Sequence, residues 1–199
     1  MRNKLSLQAL TKTIMGFVFI CVLLFLPAGT FRYWNAWLFM AVLFVPMIIL
    51  GIVMLFKSPD LLKKRLDAKE KEGEQKWVVA LSGIMFMAAF VVAALNFRFS
   101  WHSLPDFVIW ISVAMFLFSY LMYAEVIREN AFLSRTIEVQ ENQKVIDTGL
   151  YGIVRHPMYS ATIILFLSIP LILGLLIPFL IMLAYIPLIA VRINKDARV

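Results

Sequence analysis

Five stretches of this chain contain no Asp, Glu, Lys or Arg: 13–31, 33–56, 77–97, 107–124 and 156–191, of 19, 24, 21, 18 and 36 residues. No other feature narrows the fold so far. About 20 apolar residues in helical form cross a bilayer core of about 30 Å. In water the same helices would have no charged face to solvate. The composition agrees: 62% of residues are hydrophobic and 16% charged, where soluble domains run near half and a quarter. A soluble globular enzyme, a disordered chain and a disulfide scaffold are excluded on this ground. The lone Cys21 can form neither an internal disulfide nor a Cys-based zinc site, and two histidines, His102 and His156, cannot make a His-rich one. No metal is expected.

The last stretch is too long for one span, since 36 residues would make a helix of about 54 Å. Pro170, Gly174 and Pro178 lie at its centre and can break a helix there. The expectation is a tight helical hairpin, roughly 158–172 and 177–192. The fold class is therefore all-α: a polytopic helical membrane protein with four single spans plus a C-terminal Pro/Gly-broken hairpin. The whole chain, 1–199, reads as a single integral membrane domain, with N-terminal membrane helices over 1–124 and the polar interest gathered in 125–199. Arg2, Lys4 and Lys12 before the first stretch resemble the start of a signal peptide. That stretch is as long as a full span, however, and Ala28-Gly29-Thr30 is a weak cleavage site, so a retained first helix is expected.

Charge sets the orientation. With the N-terminus cytoplasmic, all but Arg32 and Arg98 of the 19 basic residues fall on cytoplasmic segments, the bias that orients membrane proteins. The net charge of +7 is then a matter of topology, and no nucleic acid partner is expected. Trp34, Trp37, Trp77, Trp101 and Trp110 fall near span ends, as an aromatic belt requires. Segment 57–76 starts a short helix at Ser58-Pro59-Asp60. Leu61, Leu62 and Leu66 give it an apolar face, which suits a helix lying near lipid headgroups.

The spans hold almost no ionisable residues, which argues against an ion pump or charge-relay transporter. The distinctive segment is 142–159, Asn-Gln-Lys-Val-Ile-Asp-Thr-Gly-Leu-Tyr-Gly-Ile-Val-Arg-His-Pro-Met-Tyr. Asp147-Thr148-Gly149 reads as a turn that uses glycine's freedom. Pro157 suits a first helical position. A helix starting there offers free amides and a positive dipole end, a cradle for a carboxylate or another anion. Taken singly, Arg155 is an interface anchor, His156 a helix cap, and Tyr151 and Tyr159 belt residues. Taken together at one membrane interface, they read as a site.

Gly149-Leu150-Tyr151 followed by Val154-Arg155-His156-Pro157-Met158-Tyr159 resembles the signature of the isoprenylcysteine carboxyl methyltransferase family. That family stands among the integral-membrane methyltransferases that include phospholipid N-methyltransferases. Residues 132–146 are similar to its lead-in, and the resemblance covers about 125–199. It implies a membrane enzyme using S-adenosylmethionine, with Gln143, Lys144, Val145 and Ile146 at the adenosyl end and an upstream polar contact near Glu138 or Gln140. Tyr151, Arg155, His156, Pro157 and Met158 would enclose the cofactor. After the hairpin, Arg192 matches the arginine associated with the substrate carboxylate, and Tyr159 is placed with it toward the acceptor. Asp196 stands where the family has the first of two glutamates, a cofactor contact, and Ala197 replaces the second.

Methyl transfer from a sulfonium needs donor and acceptor held in line, with neither metal nor covalent nucleophile. A carboxylate acceptor is already ionised near neutral pH, and Arg192 would pair with it. The leading expectation is carboxyl O-methylation of an isoprenylcysteine-like or other lipophilic acceptor reached from the membrane lipid. A phospholipid or other amine acceptor would instead want a general base, with His156, Glu138 and Asp196 as candidates. Two further classes stand beside these: an NADPH-dependent membrane reductase of related arrangement, and a non-catalytic membrane protein, to which the changed Asp196-Ala197 pair points.

Overall fold

The computed structural model describes residues 2–66, 73–101, 103–129, 148–154 and 156–196. Among these the chain is helical, with no strand. The helices are α1 (Arg2–Ala28), α2 (Trp34–Lys57), α3 (Pro59–Leu66), α4 (Gly73–Phe99), α5 (Asp106–Glu129), α6 (Pro157–Ile172), α7 (Leu176–Leu183) and α8 (Tyr185–Asp196), with one 3-10 turn, Gly149–Gly152. Four spans, Lys4–Ala28, Trp34–Lys57, Val79–Phe99 and Asp106–Glu129, are long and apolar enough to cross a membrane. The protein is a polytopic helical membrane protein of the expected class.

Each of the first four charge-free stretches lies largely within one helix, and each helix overruns its stretch at one end or both. A charge marks the edge of the hydrocarbon, not the end of the helix, because Lys and Arg can lie along a helix and reach the interface. The outward surface is apolar: Leu26, Phe56 and Leu121 are each at least two-thirds exposed, as lipid-facing residues should be. All five tryptophans are partly exposed. Trp34 and Trp110 approach to 6.3 Å between ring centres, at one end of the bundle.

The main core joins α1, α2, α4, α5 and α6 around Phe39, Phe90 and Phe116. Phe116 meets Phe39 edge-on at 6.2 Å. Ala28, Ala36, Ala93 and Ala94 in the same core let backbones approach, the packing expected where lipid removes the hydrophobic drive between helices. Serine hydroxyls buried there are satisfied within their own helix. Ser112 donates to the Val108 carbonyl and Ser168 to the Ile164 carbonyl, each at 2.7 Å, so neither hydroxyl faces hydrocarbon alone.

The C-terminal stretch folds as the expected hairpin. Its turn is a Schellman motif: Leu175 N–H reaches the Pro170 carbonyl at 3.1 Å and Gly174 N–H the Leu171 carbonyl at 3.0 Å. Gly174 takes the left-handed φ of +82° that the motif needs. Pro170 lies inside the last turn of α6 and Pro178 in the first turn of α7, so Gly174 marks the reversal. The first leg has 16 residues, about 24 Å, shorter than the bilayer core. The second leg is not the single helix expected over 177–192. It breaks at Ala184, because Pro187 has no N–H to give the Leu183 carbonyl. Ala184 instead bonds back to the Ile181 carbonyl at 3.1 Å.

The helix ends sort into two groups. At one end the hairpin apex is tied down: the Tyr33 hydroxyl donates to the Leu173 carbonyl at 2.9 Å, Asn35 Nδ2 to the Ile172 carbonyl at 3.1 Å and Leu104 N–H to the Gly174 carbonyl at 2.8 Å. Arg32 and Arg98 belong to this end, with Arg98 against Gly29. At the other end, α5 finishes and α6 begins. There α3 packs Leu61 and Leu62 against Met54, with Leu5 and Ile127 beside them. The apolar face of α3 is thus turned onto the protein. Lys12 Nζ donates to the Leu66 carbonyl, a cation at a helix C-terminus.

Candidate functional site

The site end is built on α5 and α6, the two helices most extensively packed together. Tyr123 on α5 hydrogen-bonds the Thr162 hydroxyl on α6, and Thr162 Oγ1 bonds the Met158 carbonyl at 2.8 Å. The start of α6 is therefore held by α5. Pro157 occupies the first helical position, as expected, and is fully buried. His156 is the N-cap by backbone, with no capping hydrogen bond from its side chain. Its carbonyl accepts the Ser160 N–H at 3.1 Å. The imidazole is thus not spent on the cap.

Tyr159 is buried and belongs with Met85, Met182, Tyr185 and Ile189 in a second core joining α4, α6, α7 and α8. Its ring centre lies 6.0 Å from that of His156. Phe86, Phe166 and Tyr185 meet nearby, Phe166 edge-on to Phe86 at 4.5 Å and to Tyr185 at 4.8 Å. A narrow apolar crevice beyond them, lined by Phe86, Phe90, Ile169, Leu173 and Met182, has no room for water. It belongs to the packing between α4 and the hairpin.

The turn that leads into α6 is attached to α5 as well. Thr148 Oγ1 donates to Glu129 Oε2 at 2.5 Å. Arg128 holds Glu125 through two hydrogen bonds at 2.8 and 2.9 Å and Glu129 at 2.6 Å. Gly149 has a left-handed φ of +58°, as the turn reading expects. A Cβ there would fall 2.9 Å from Glu129 Cγ, so glycine is required both by conformation and by contact. The 3-10 turn continues with Tyr151 N–H on the Thr148 carbonyl at 3.1 Å and Val154 N–H on the Leu150 carbonyl at 2.9 Å. Tyr151 is half-buried.

Of the expected site residues, the structure brings Tyr151, His156, Pro157, Met158 and Tyr159 to one end of the bundle, on the 3-10 turn and the start of α6. Arg192 and Asp196 lie on the last turns of α8, with Arg192 one turn beyond the buried Ile189. Their side chains are outside the described residues. Gln143, Lys144, Val145, Ile146 and Arg155 also lie outside them, as do Glu138, Gln140 and Ala197. The sequence reading missed Glu125, Arg128, Glu129 and Thr148. The spacing of Glu125 and Arg128, one helical turn apart, announced an ion pair. Nothing local announced that a turn 19 residues further on would close onto it.

Residues 107–195 match the model of the phospholipid methyltransferase family. The matched region takes in α5, the 3-10 turn, α6, α7 and nearly all of α8, the same elements that build this end. The match supports a membrane methyltransferase. No curated protein and no solved structure matches the chain.

Proposed function

We propose that this protein is an S-adenosylmethionine-dependent integral-membrane methyltransferase that acts on a lipophilic acceptor. One observation carries the reading. The family match over 107–195 coincides with the end of the bundle where Tyr151, His156 and Tyr159 gather around the start of α6. The chemistry of that place suits the cofactor. The first amides of α6 have no partners within the helix, and the helix end is positive, which fits the cofactor's carboxylate. The ring of Tyr151 suits its cationic sulfur, and Tyr159 lies toward the acceptor. Arg155, Pro157 and Met158 complete the enclosure, and Gln143, Lys144, Val145 and Ile146 hold the adenosyl end, with Asp196 as a further contact. When bound, the cofactor supplies an electrophilic methyl group.

What the chain itself contributes is position and dryness. α5 and α6 hold His156 and Tyr159 rigidly, and the apolar surround excludes water from a weak nucleophile. Arg192 pairs with the acceptor carboxylate and orients it. This favours carboxyl O-methylation of an isoprenylcysteine-like acceptor entering sideways from the lipid. The description of the matched family favours a second reading, methylation of a phospholipid amine, with His156 as the base. Orientation follows the charges: Arg32 and Arg98 sit at the apex end, so the N-terminus and the site end face the cytoplasm.

The test is methyl transfer from radiolabelled S-adenosylmethionine by the purified protein, to a farnesylated N-acetylcysteine and, in parallel, to phosphatidylethanolamine vesicles. A methyl ester releases methanol in base and an N-methyl group does not. Base-labile label on the farnesylated acceptor is the expected result. Base-stable label on the phospholipid selects the second reading, and label on neither overturns the proposal.

A further inference from the structure

We propose that Glu129 is a positioning residue: with Thr148 it forms a latch that holds the turn carrying Tyr151 against the end of α5, and so sets the cofactor-enclosing segment. This rests on the methyltransferase reading above and deepens it.

Three observations converge on Glu129. It is the last residue of α5, where the negative end of the helix dipole disfavours a carboxylate. Helix stability therefore does not ask for an acid there. Its side chain is nonetheless well covered, 16% exposed against 68% for Arg128. What covers and uses it is the turn: the Thr148 hydroxyl donates to one of its oxygens at 2.5 Å, and Gly149 packs so closely that a Cβ would strike its side chain at 2.9 Å. Arg128 takes Glu129 from the other side and is itself braced by Glu125. The carboxylate thus has its orientation fixed before the turn arrives.

The consequence is a segment pinned at both ends on one helix. Glu129 holds residue 148, and Tyr123 holds Thr162 on the first turns of α6. Between the pins lie Tyr151, His156, Pro157 and Met158, which the proposed function assigns to the cofactor. A short chain tied at two points to a rigid helix has little freedom left to lose on binding, the general route by which preorganisation gains affinity. The latch acts through Tyr151 and the turn, and touches no reacting atom.

The experiment uses the full chain in detergent with two readouts: S-adenosylmethionine affinity by calorimetry, and hydrogen exchange of the 148–154 amides without ligand. Thr148→Val keeps the shape and removes the hydroxyl, and Glu129→Ala removes the acceptor. Each is expected to weaken cofactor binding about tenfold, the effect of one charge-assisted hydrogen bond, and to speed exchange across 148–154 by a similar factor. The double variant should be no worse than either single one, because both break the same link. Thr148→Ser should restore both readouts to within about twofold. Additive effects, or Thr148→Val with unchanged exchange and affinity, would overturn the latch. Wild-type protein that binds no S-adenosylmethionine sinks the methyltransferase reading, while the exchange readout still decides whether Glu129 and Thr148 hold the turn.

Discussion

The two ends of this bundle are held together by different chemistry. At the apex end, neutral side chains, Tyr33 and Asn35, close onto backbone carbonyls of the hairpin turn, and Leu104 adds a backbone bond. These three bonds satisfy carbonyls that the turn leaves open. At the site end, charges do the holding: Glu125, Arg128 and Glu129 fix a glycine turn. The His156 side chain makes no capping bond there. One end is an anchor that ties down the hairpin turn. The other holds the start of α6, and of the residues proposed for the cofactor the described Tyr151, His156, Pro157 and Met158 fall on it.

That contrast can be broken by substitution. Arg155→Ala or His156→Ala should weaken S-adenosylmethionine binding by at least about 100-fold, a loss of roughly 3 kcal/mol of binding free energy. The unliganded melting temperature should stay within a few degrees. Calorimetry beside a thermal melt checks both, and normal binding by both variants would move the site elsewhere. Gly174→Val should do the reverse. It forces a β-branched residue to φ +82° and puts a Cβ 3.2 Å from Asn35 Nδ2, costing about 2 kcal/mol of stability with the affinity of folded protein unchanged. Tyr33→Phe removes one buried hydrogen bond at the apex and should cost about 1 kcal/mol, again without effect on binding. Smallest is Lys12→Ala, which uncaps α3 at an exposed position and should cost about 0.5 kcal/mol or less. If an apex substitution changed affinity as much as stability, the two ends would be one coupled unit and the contrast would fall.

The spans were legible because hydrocarbon imposes a one-dimensional rule. Charge-free stretches of about 20 residues have little choice but to become helices, and α1, α2, α4 and α5 follow them. The hairpin was legible from Gly174, since a left-handed turn residue inside an apolar run has few other uses. The break at Ala184 was missed although Pro187 signalled it. The length of the run drew attention to its centre instead of its second leg. The face of α3 was legible as apolar, but not what it covers. Leu61 and Leu62 meet Met54, on the helix just before them, and Ile127, which lies far off in sequence. The turn at Gly149 and the helix start at Pro157 were visible because glycine and proline declare backbone conformation locally. The latch was not, because Glu129 becomes meaningful only when Thr148 returns to it in space.

The most direct test of the central claim is ligand binding by the purified protein in detergent, with S-adenosylmethionine and NADPH titrated in parallel by thermal shift. A ligand that binds the folded state raises stability with ln(1 + [L]/Kd). The account predicts a saturable rise with S-adenosylmethionine and none with NADPH. A rise with NADPH alone would contradict it and place the protein among reductases, and no rise with either would remove the cofactor site from the end of the bundle where α6 begins.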